Sequence, residues 1–149
     1  MIESEFKRRL RERGLRITPQ RIFIHRAFNE LGRHATAEEV HARVEPWLPN
    51  ASLPTVYATL ELFEEMGIAH RVAAGSATAL WDPRPEAHHH LICRSCGAVE
   101  DLDVSIDSFA ALRAARRRGF RAESSELIVS GLCQRCQTAR HGRHASEPR

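Results

Sequence analysis

The chain has 149 residues, and its composition (42% hydrophobic, 28% charged) is typical of a folded protein of one ordinary domain or two small ones. The sequence contains no apolar run of the roughly 18 residues that a membrane span needs, and its charged N-terminus lacks the apolar segment of a signal peptide. A net charge of +3 indicates no particular partner by itself. We therefore expect a cytoplasmic protein with reduced thiols and no membrane partner.

The positive charge is concentrated at the N-terminus, where residues 1–26 hold eight Lys or Arg against three Glu. Such a segment fits either an arm that binds a polyanion or a solvated helix face rich in arginine. The sequence leaves both interpretations open.

Helix signals follow one another through the first half of the chain. Thr18 before Pro19, Thr36 with Glu39 three residues on, and Ser52 are predicted N-caps of three helices. Gly32, Pro46 and Gly67 are the predicted stops. Residues 68–72 and 78–81 then read as two strands of a hairpin, and this order is that of a winged helix.

The second half predicts a smaller α/β unit, so the fold class is α+β. Two prolines within residues 82–86 predict an irregular connection. The expected organisation is a winged-helix domain at 1–82, a hinge at 83–87, a second domain at 88–137 and a disordered tail at 138–149. Within the second domain we expect strands at 88–93, 98–102 and 127–130 and a helix near 106–117.

The four cysteines form two CxxC pairs, Cys93 with Cys96 and Cys133 with Cys136. Two intervening residues let both sulfurs of a pair turn toward one point, and two such pairs complete a closed tetrahedral thiolate site for structural Zn2+. The alternative is a redox or disulfide role, but neither pair opens a helix after a buried strand, as a redox motif would.

A second group of metal-binding side chains precedes the first cysteine. On a strand, His88 and His90 point to one face and Cys93 to the other. Folding the hairpin at the cysteine pair brings Asp101 opposite residues 88–90, and Asp82 lies close enough along the chain to join them. Two imidazoles with carboxylates suit Fe(II), Mn(II) or Zn(II), whereas polar surface histidines are the simpler alternative.

Five segments together resemble the ferric uptake regulator (Fur) family of bacterial metal-dependent transcription factors. They are GLRITPQR at 14–21, TAEEV at 36–40, PTVY at 54–57, HHHLICRSCG at 88–97 and GLCQRC at 131–136. The resemblance implies a winged-helix DNA-binding domain followed by an α/β dimerisation domain, and hence a homodimer that acts as a repressor and not as an enzyme.

The resemblance also implies two metal sites. The family's structural zinc site falls on the four cysteines, and its regulatory Fe2+ or Mn2+ site falls on His34, Asp82, His88, His90 and Asp101. A further metal site of some members is not preserved, because Ala87 and Ser125 stand at two of its ligand positions.

Asp101 points to the peroxide-sensing (PerR) branch of the family, since iron-sensing members usually carry Glu at this position. In that branch, iron-catalysed oxidation of a ligand imidazole, His34 or His88, releases the metal and the DNA, and oxidative-stress or metal-homeostasis genes are then expressed. Iron-responsive regulation without peroxide sensing is the alternative. A zinc-sensing role would need a spare cysteine, and the sequence has none.

The expected partner is double-stranded DNA with an A+T-rich palindromic site, and no small-molecule substrate is expected. The helix that begins after Ser52 should enter the major groove by its N-terminal end, which makes Thr55, Tyr57 and Thr59 candidate contacts. The resemblance implies two further DNA contacts, Arg16 with the minor groove and Arg21 with a phosphate. Ala58 stands where many relatives have a polar or basic residue, so more of the recognition should rest on DNA shape.

Two alternatives of other classes are a metal-dependent enzyme and a zinc-ribbon interaction module. The first would need a catalytic motif such as HExxH or GxSxG, which the sequence does not contain. The second leaves the basic N-terminal segment and the winged-helix pattern unexplained.

Overall fold

The computed structural model describes residues 3–72, 79–84, 86 and 88–141, with residues 140 and 141 described by backbone only. The chain divides into two compact units, unit 1 at Met1–Glu86 and unit 2 at Ala87–Arg149. The division falls inside the segment 83–87 for which a hinge is predicted. Pro85 and Ala87 of that segment lie outside the described residues.

Unit 1 contains four helices, α1 (Glu3–Glu12), α2 (Pro19–Leu31), α3 (Ala37–Val44) and α4 (Leu53–Glu65). The three predicted N-caps are confirmed: the side chains of Thr18, Thr36 and Ser52 each accept a hydrogen bond from the backbone N–H three residues on. Thr36 and Glu39 form a complete capping box. At the C-terminus of α2, Gly32 adopts the left-handed conformation (φ 60°) that stops a helix.

The N-terminal basic segment is not a free arm from residue 3 onward. Phe6 and Leu10 of α1 are fully buried in the core of unit 1. On the exposed face of α1, Lys7 pairs with Glu3, Arg8 with Glu12 (2.6 Å) and Arg9 with Glu5 (3.2 Å). The structure therefore supports the solvated helix face over the polyanion-binding arm for residues 3–12.

Two short antiparallel strands, β1 (His70–Val72) and β2 (Leu80–Asp82), follow α4. Residues 73–78, which include the predicted turn of this hairpin, lie outside the described residues. Ala35 and Trp81 exchange backbone hydrogen bonds of 2.9 and 3.0 Å. This bridge ties the α2–α3 connection to β2.

Unit 2 is built on a three-stranded sheet with the order β4-β3-β5. Strand β3 (His89–Cys93) pairs antiparallel with β4 (Val99–Leu102) and parallel with β5 (Ile128–Gly131). All three strands lie within one residue of the predicted bounds. The sequence alone did not indicate that β5 pairs with β3 in parallel.

Two helices complete unit 2, α5 (Phe109–Arg117) and α6 (Gln134–His141). Helix α5 begins three residues after the predicted start. The prediction of a disordered tail from residue 138 is wrong for residues 138–141, which continue α6. Residues 142–149 lie outside the described part.

Within the described ranges, no helix is both long enough and apolar enough to cross a membrane.

Candidate metal centres and nucleic-acid interface

The four cysteine sulfurs of unit 2 converge at one point. Cys93 ends β3, and Cys96 follows in the turn before β4. Cys133 and Cys136 lie at the start of α6, so the second pair does open a helix after a strand, contrary to the expectation from the sequence, but no residue of that strand, β5, is fully buried. Their Sγ atoms all lie within 4.8 Å of one another. The Cys96 and Cys133 sulfurs are 3.8 Å apart, which matches the sulfur–sulfur edge of about 3.8 Å in a tetrahedron with Zn–S bonds of about 2.3 Å.

The sulfurs are free thiols rather than disulfides. The backbone N–H of Cys133 donates to the Cys93 Sγ over 3.3 Å. This bond and one from the Cys96 backbone lower the pKa of Cys93 to about 6, which favours the thiolate form that binds a metal. The predicted cluster of four cysteines is thus present, and its donor set fits a soft, tetrahedral ion.

Unit 1 contains a histidine–carboxylate pair. His34 directly precedes Ala35 and Asp82 directly follows Trp81, so the backbone bridge between Ala35 and Trp81 sets the two side chains beside each other. His34 Nε2 lies 3.0 Å from Asp82 Oδ2, and the two side chains are 10% and 2% exposed.

Arg84 also engages Asp82, with its backbone N–H 2.8 Å from Oδ1 and its guanidinium 3.2 Å from Oδ2. Burial alone would raise the pKa of Asp82, but the hydrogen bonds from His34 and Arg84 outweigh it and hold this pKa well below its ordinary range. Asp82 is therefore an ionised carboxylate, the form that binds a cation.

Unit 2 contains a group of two histidines and a carboxylate. The register of the sheet pairs His90 with Asp101, so the predicted cross-strand proximity is confirmed. Asp101 Oδ1 lies 3.1 Å from His88 Nε2 and 4.0 Å from His90 Nε2. The two imidazole rings are 4.4 Å apart between centroids. All three donors are imidazole nitrogens or carboxylate oxygens, which suit Fe(II), Mn(II) or Zn(II).

Sequence reasoning missed Glu126, which lies just before β5. Its Oε1 is 2.5 Å from His90 Nδ1, on the side of the ring away from Nε2. Only the parallel pairing of β5 with β3 brings residue 126 beside residue 90, and no local motif in the sequence signals such a contact.

The predicted DNA contacts divide into two groups. A groove of about 580 Å³ in unit 1 is lined by Arg16 and Arg21 from the start of the α2 region and by Thr55 and Ala58 from α4. The Arg21 guanidinium donates to the Arg16 carbonyl over 2.6 Å, which holds the two basic residues together. The groove therefore combines positive charge with the N-terminal half of α4.

Thr59 also borders this groove. The prediction that its side chain contacts DNA is corrected by the structure. The residue is only 6% exposed, and its hydroxyl donates to the Thr55 carbonyl within α4 over 2.8 Å. Its hydrogen-bonding capacity is thus directed to the helix backbone.

Tyr57 lies on another side of α4. Its ring packs edge-to-face on Trp81 with centroids 5.7 Å apart, and its hydroxyl donates to Glu38 over 3.0 Å. Tyr57 therefore has a packing role in unit 1, and its contact with DNA stays a prediction.

Comparison with known proteins assigns most of the chain to one family. The profile of the Ferric uptake regulator family matches residues 12–130. The chain is 35% identical over 128 residues to the peroxide operon regulator of Bacillus subtilis (strain 168), an alignment that covers 85% of this chain and 88% of that protein.

Several solved structures of similar fold share more than 25% sequence identity with this chain. The ferric uptake regulator of Pseudomonas aeruginosa with manganese is 26% identical, with a TM-score of 0.69 over 90% of this chain and 99% of that chain. The peroxide-sensing regulator PerR of Streptococcus pyogenes is also 26% identical, with a TM-score of 0.51 over 91% and 92% of the two chains.

Proposed function

This chain belongs to the ferric uptake regulator family and is a transcriptional regulator rather than an enzyme; we propose that it is a metal-dependent repressor that releases its operator DNA in response to peroxide. The observation that carries this proposal is the thiolate-free donor set, in which Asp101 faces His88 and His90. The similarity to the peroxide operon regulator of Bacillus subtilis adds support.

The four-cysteine cluster is proposed to hold structural Zn2+. Four thiolates leave no open coordination position, so the ion has no place for a substrate or for peroxide. Its role is to connect the turn after β3 with the start of α6 and so stabilise unit 2.

The regulatory Fe2+ or Mn2+ is proposed to be bound by His34 and Asp82 of unit 1 together with His88, His90 and Asp101 of unit 2. Nitrogen and carboxylate oxygen donors are the types that Fe(II) and Mn(II) accept. Because the donors come from both units, binding favours one arrangement of the two units over others, and the metal and DNA affinities become coupled.

A homodimer is the proposed assembly, formed through unit 2. Its exposed apolar side chains include Phe109 (66% exposed) on α5, Phe120 (72%) after it and Val129 (43%) on β5. Strand β5 is an edge of the sheet. Large exposed apolar side chains and an open edge strand are typical of a protein interface. A two-fold dimer matches a palindromic DNA site.

The DNA-binding surface is proposed to be the groove with Arg16, Arg21 and Thr55. Arg16 is exposed, so the R16A variant should weaken operator binding. It should also reduce the magnitude of the slope of log K against log salt concentration by about one. The matched control is R8A, which removes an arginine that pairs with Glu12 on α1. Equal loss in both variants, measured by fluorescence anisotropy against salt, would contradict this placement.

The peroxide response is proposed to be an oxidation of His34 or His88. Bound Fe(II) supplies the redox chemistry that Mn(II) lacks under the same conditions. In this reaction, one H2O2 is reduced to water and one oxygen atom is added to the imidazole, which loses two electrons. The oxidised ring is a poorer ligand, so the metal and then the DNA are released.

Iron-responsive repression without peroxide sensing is the second candidate function. Asp101 favours peroxide sensing, but its side chain is only one methylene shorter than that of the Glu expected in iron sensors. The D101E variant tests this distinction, since we expect it to keep Mn(II)-dependent DNA binding and to lose sensitivity to peroxide.

The decisive test is a gel shift on an A+T-rich inverted repeat with zinc-replete protein. We expect binding with Mn(II) or Fe(II), no binding with excess chelator, and loss of binding after peroxide only in the Fe(II) sample. Equal binding with and without chelator would contradict metal-dependent repression. Unchanged binding of the Fe(II) protein after peroxide would favour the iron-responsive alternative.

A further inference from the structure

We propose that Glu126 is a positioning residue for the regulatory metal: it fixes His90 in the tautomer and orientation in which Nε2 is the ligand atom. This inference rests on the proposed function in one respect, namely that a metal binds at His88, His90 and Asp101. The fixed tautomer itself is a property of the metal-free site.

The contact between the two residues is short and sheltered. His90 is fully buried, and its Nδ1 lies 2.5 Å from Glu126 Oε1, whose side chain is 20% exposed. A carboxylate oxygen accepts the hydrogen bond in this contact, so we assign its donor as the Nδ1–H of the imidazole. A neutral imidazole with its proton on Nδ1 carries its lone pair on Nε2.

That lone pair is directed toward the other unit 2 donors. His90 Nε2 lies 4.0 Å from Asp101 Oδ1. This separation is long for a hydrogen bond, but it leaves room for an ion about 2.1 Å from each atom. The opposite tautomer would place a proton on Nε2 and block that position.

The backbone keeps Glu126 in this place. Parallel pairing of β3 with β5 sets His90 opposite Ile128, and the His90 N–H donates to the Leu127 carbonyl over 3.0 Å. The Leu127 N–H in turn donates to His89 Nδ1 over 3.1 Å. With residue 127 bonded on both sides, the side chain of residue 126 is held beside the His90 ring.

Carboxylates that accept from the second nitrogen of a ligand histidine orient the ring and raise its basicity, and their removal typically weakens metal binding by about 10- to 100-fold. Glu123 offers a matched comparison in the same connection between α5 and β5. It is 76% exposed and pairs with Arg121 at 3.4 Å. Its removal takes away the same charge without touching a histidine.

The first experiment reads the tautomer directly by long-range 1H–15N NMR of the His90 ring in zinc-loaded protein without a regulatory metal. We expect the Nδ1–H tautomer in the wild type, in E123A and in E126Q, whose amide oxygen still accepts the bond. E126A should show a mixture of tautomers. A wild-type ring protonated on Nε2, or an unchanged ring in E126A, would overturn the inference.

The second experiment measures Mn(II) affinity by EPR titration of the same proteins, with zinc content and melting temperature as checks on the fold. E126A should bind Mn(II) about 10- to 100-fold more weakly than wild type, E126Q should lose less, and E123A should match wild type. If E126A loses its zinc, the test rests instead on the Mn(II) affinity of E126Q compared with that of E123A.

The D101A variant separates the two possible failures. If D101A abolishes Mn(II) binding while E126A and E126Q bind as tightly as wild type, the role of Glu126 is wrong and the proposed function stands. If wild-type protein binds no Mn(II) beyond its zinc, the proposed function fails together with the metal-binding part of this inference.

Discussion

His25 shows how a titratable side chain is held inside the core of unit 1. Its ring stacks on Phe6 with centroids 4.1 Å apart and meets the edge of Phe63 at 5.8 Å. The residue is only 4% exposed. Because burial disfavours the charged form, the pKa of His25 is lowered from 6.5 to about 4.

The lowered pKa predicts a pH-dependent stability. Below pH 6.5 the unfolded chain binds a proton at His25 before the folded chain does, so the free energy of unfolding should fall as the pH drops from 6.5 to 4. The H25F variant keeps an aromatic ring but cannot titrate, and it should lose this contribution. Urea unfolding at pH 7, 5.5 and 4.5 measures the difference, and an identical pH profile in both proteins would contradict it.

At the candidate metal centre, a contact between two residues could be predicted from the sequence where a hairpin brings them together. Asp101 could be placed opposite His88–His90 because the cysteine pair fixes where the β3–β4 hairpin turns. Glu126 and Arg84 could not be foreseen. Glu126 reaches His90 only through a parallel pairing of distant strands, and Arg84 contacts Asp82 through the irregular chain after β2.

At the scale of elements, the helix starts of unit 1 were predictable because their signals are local. Thr18, Thr36 and Ser52 each bond to a backbone N–H three residues away, and no distant contact is needed. The capping box of α3 is the most complete of these, since Glu39 also accepts from the Thr36 N–H over 2.9 Å.

Loss of the α3 cap should have a measurable cost. The T36A variant leaves the Glu39 N–H without its hydroxyl partner and should lower the free energy of unfolding by about 1 kcal/mol. T36S keeps the hydroxyl and serves as the control. Urea unfolding followed by circular dichroism measures both, and equal destabilisation of the two variants would contradict a capping role.

Prediction from the sequence failed where contacts between distant residues determine burial or the start of an element. Thr59 occupies a helix position that faces the core of unit 1 as much as the groove, and helical spacing from Thr55 alone could not reveal its burial. Helix α6 begins between the two cysteines of the second pair, so its start depends on a cluster assembled from distant parts of the chain.

At the scale of the molecule, the two units bury very different amounts of apolar surface. Unit 1 has a continuous core that includes Phe6, Phe28, Phe63 and Trp81. In unit 2, every described residue of α5 keeps part of its surface exposed, and Ile92 is the one aliphatic side chain among the described residues that is buried. Unit 2 is thus the part whose stability should depend most on association.

A charge on the open strand edge should therefore disrupt the proposed dimer. V129E places a carboxylate at an exposed apolar position of β5 and should raise the dimer dissociation constant by roughly tenfold or more. A42E makes a comparable change at an exposed position of α3 in unit 1 and serves as the control. Sedimentation velocity over a concentration series measures both, and a V129E dimer as stable as wild type would place the interface elsewhere.

The general plan of the molecule was predictable because cysteine spacing, helix caps and the five matching segments all lie within short stretches of sequence. The assembly of the metal-binding groups depends on the bridge between Ala35 and Trp81 and on the order β4-β3-β5. These long-range contacts explain why ligand types could be named from the sequence while the residues that orient them could not.

Mass spectrometry of the peptides that contain His34 and His88 is the most direct test of peroxide sensing. Protein loaded with Fe(II) and treated with one equivalent of peroxide should gain a single oxygen atom on one of these two imidazoles, while the same protein loaded with Mn(II) should stay unmodified. Loss of DNA binding should increase in proportion to the modified fraction. Unmodified His34 and His88 in Fe(II) protein, under conditions that release the operator, would contradict the proposed mechanism.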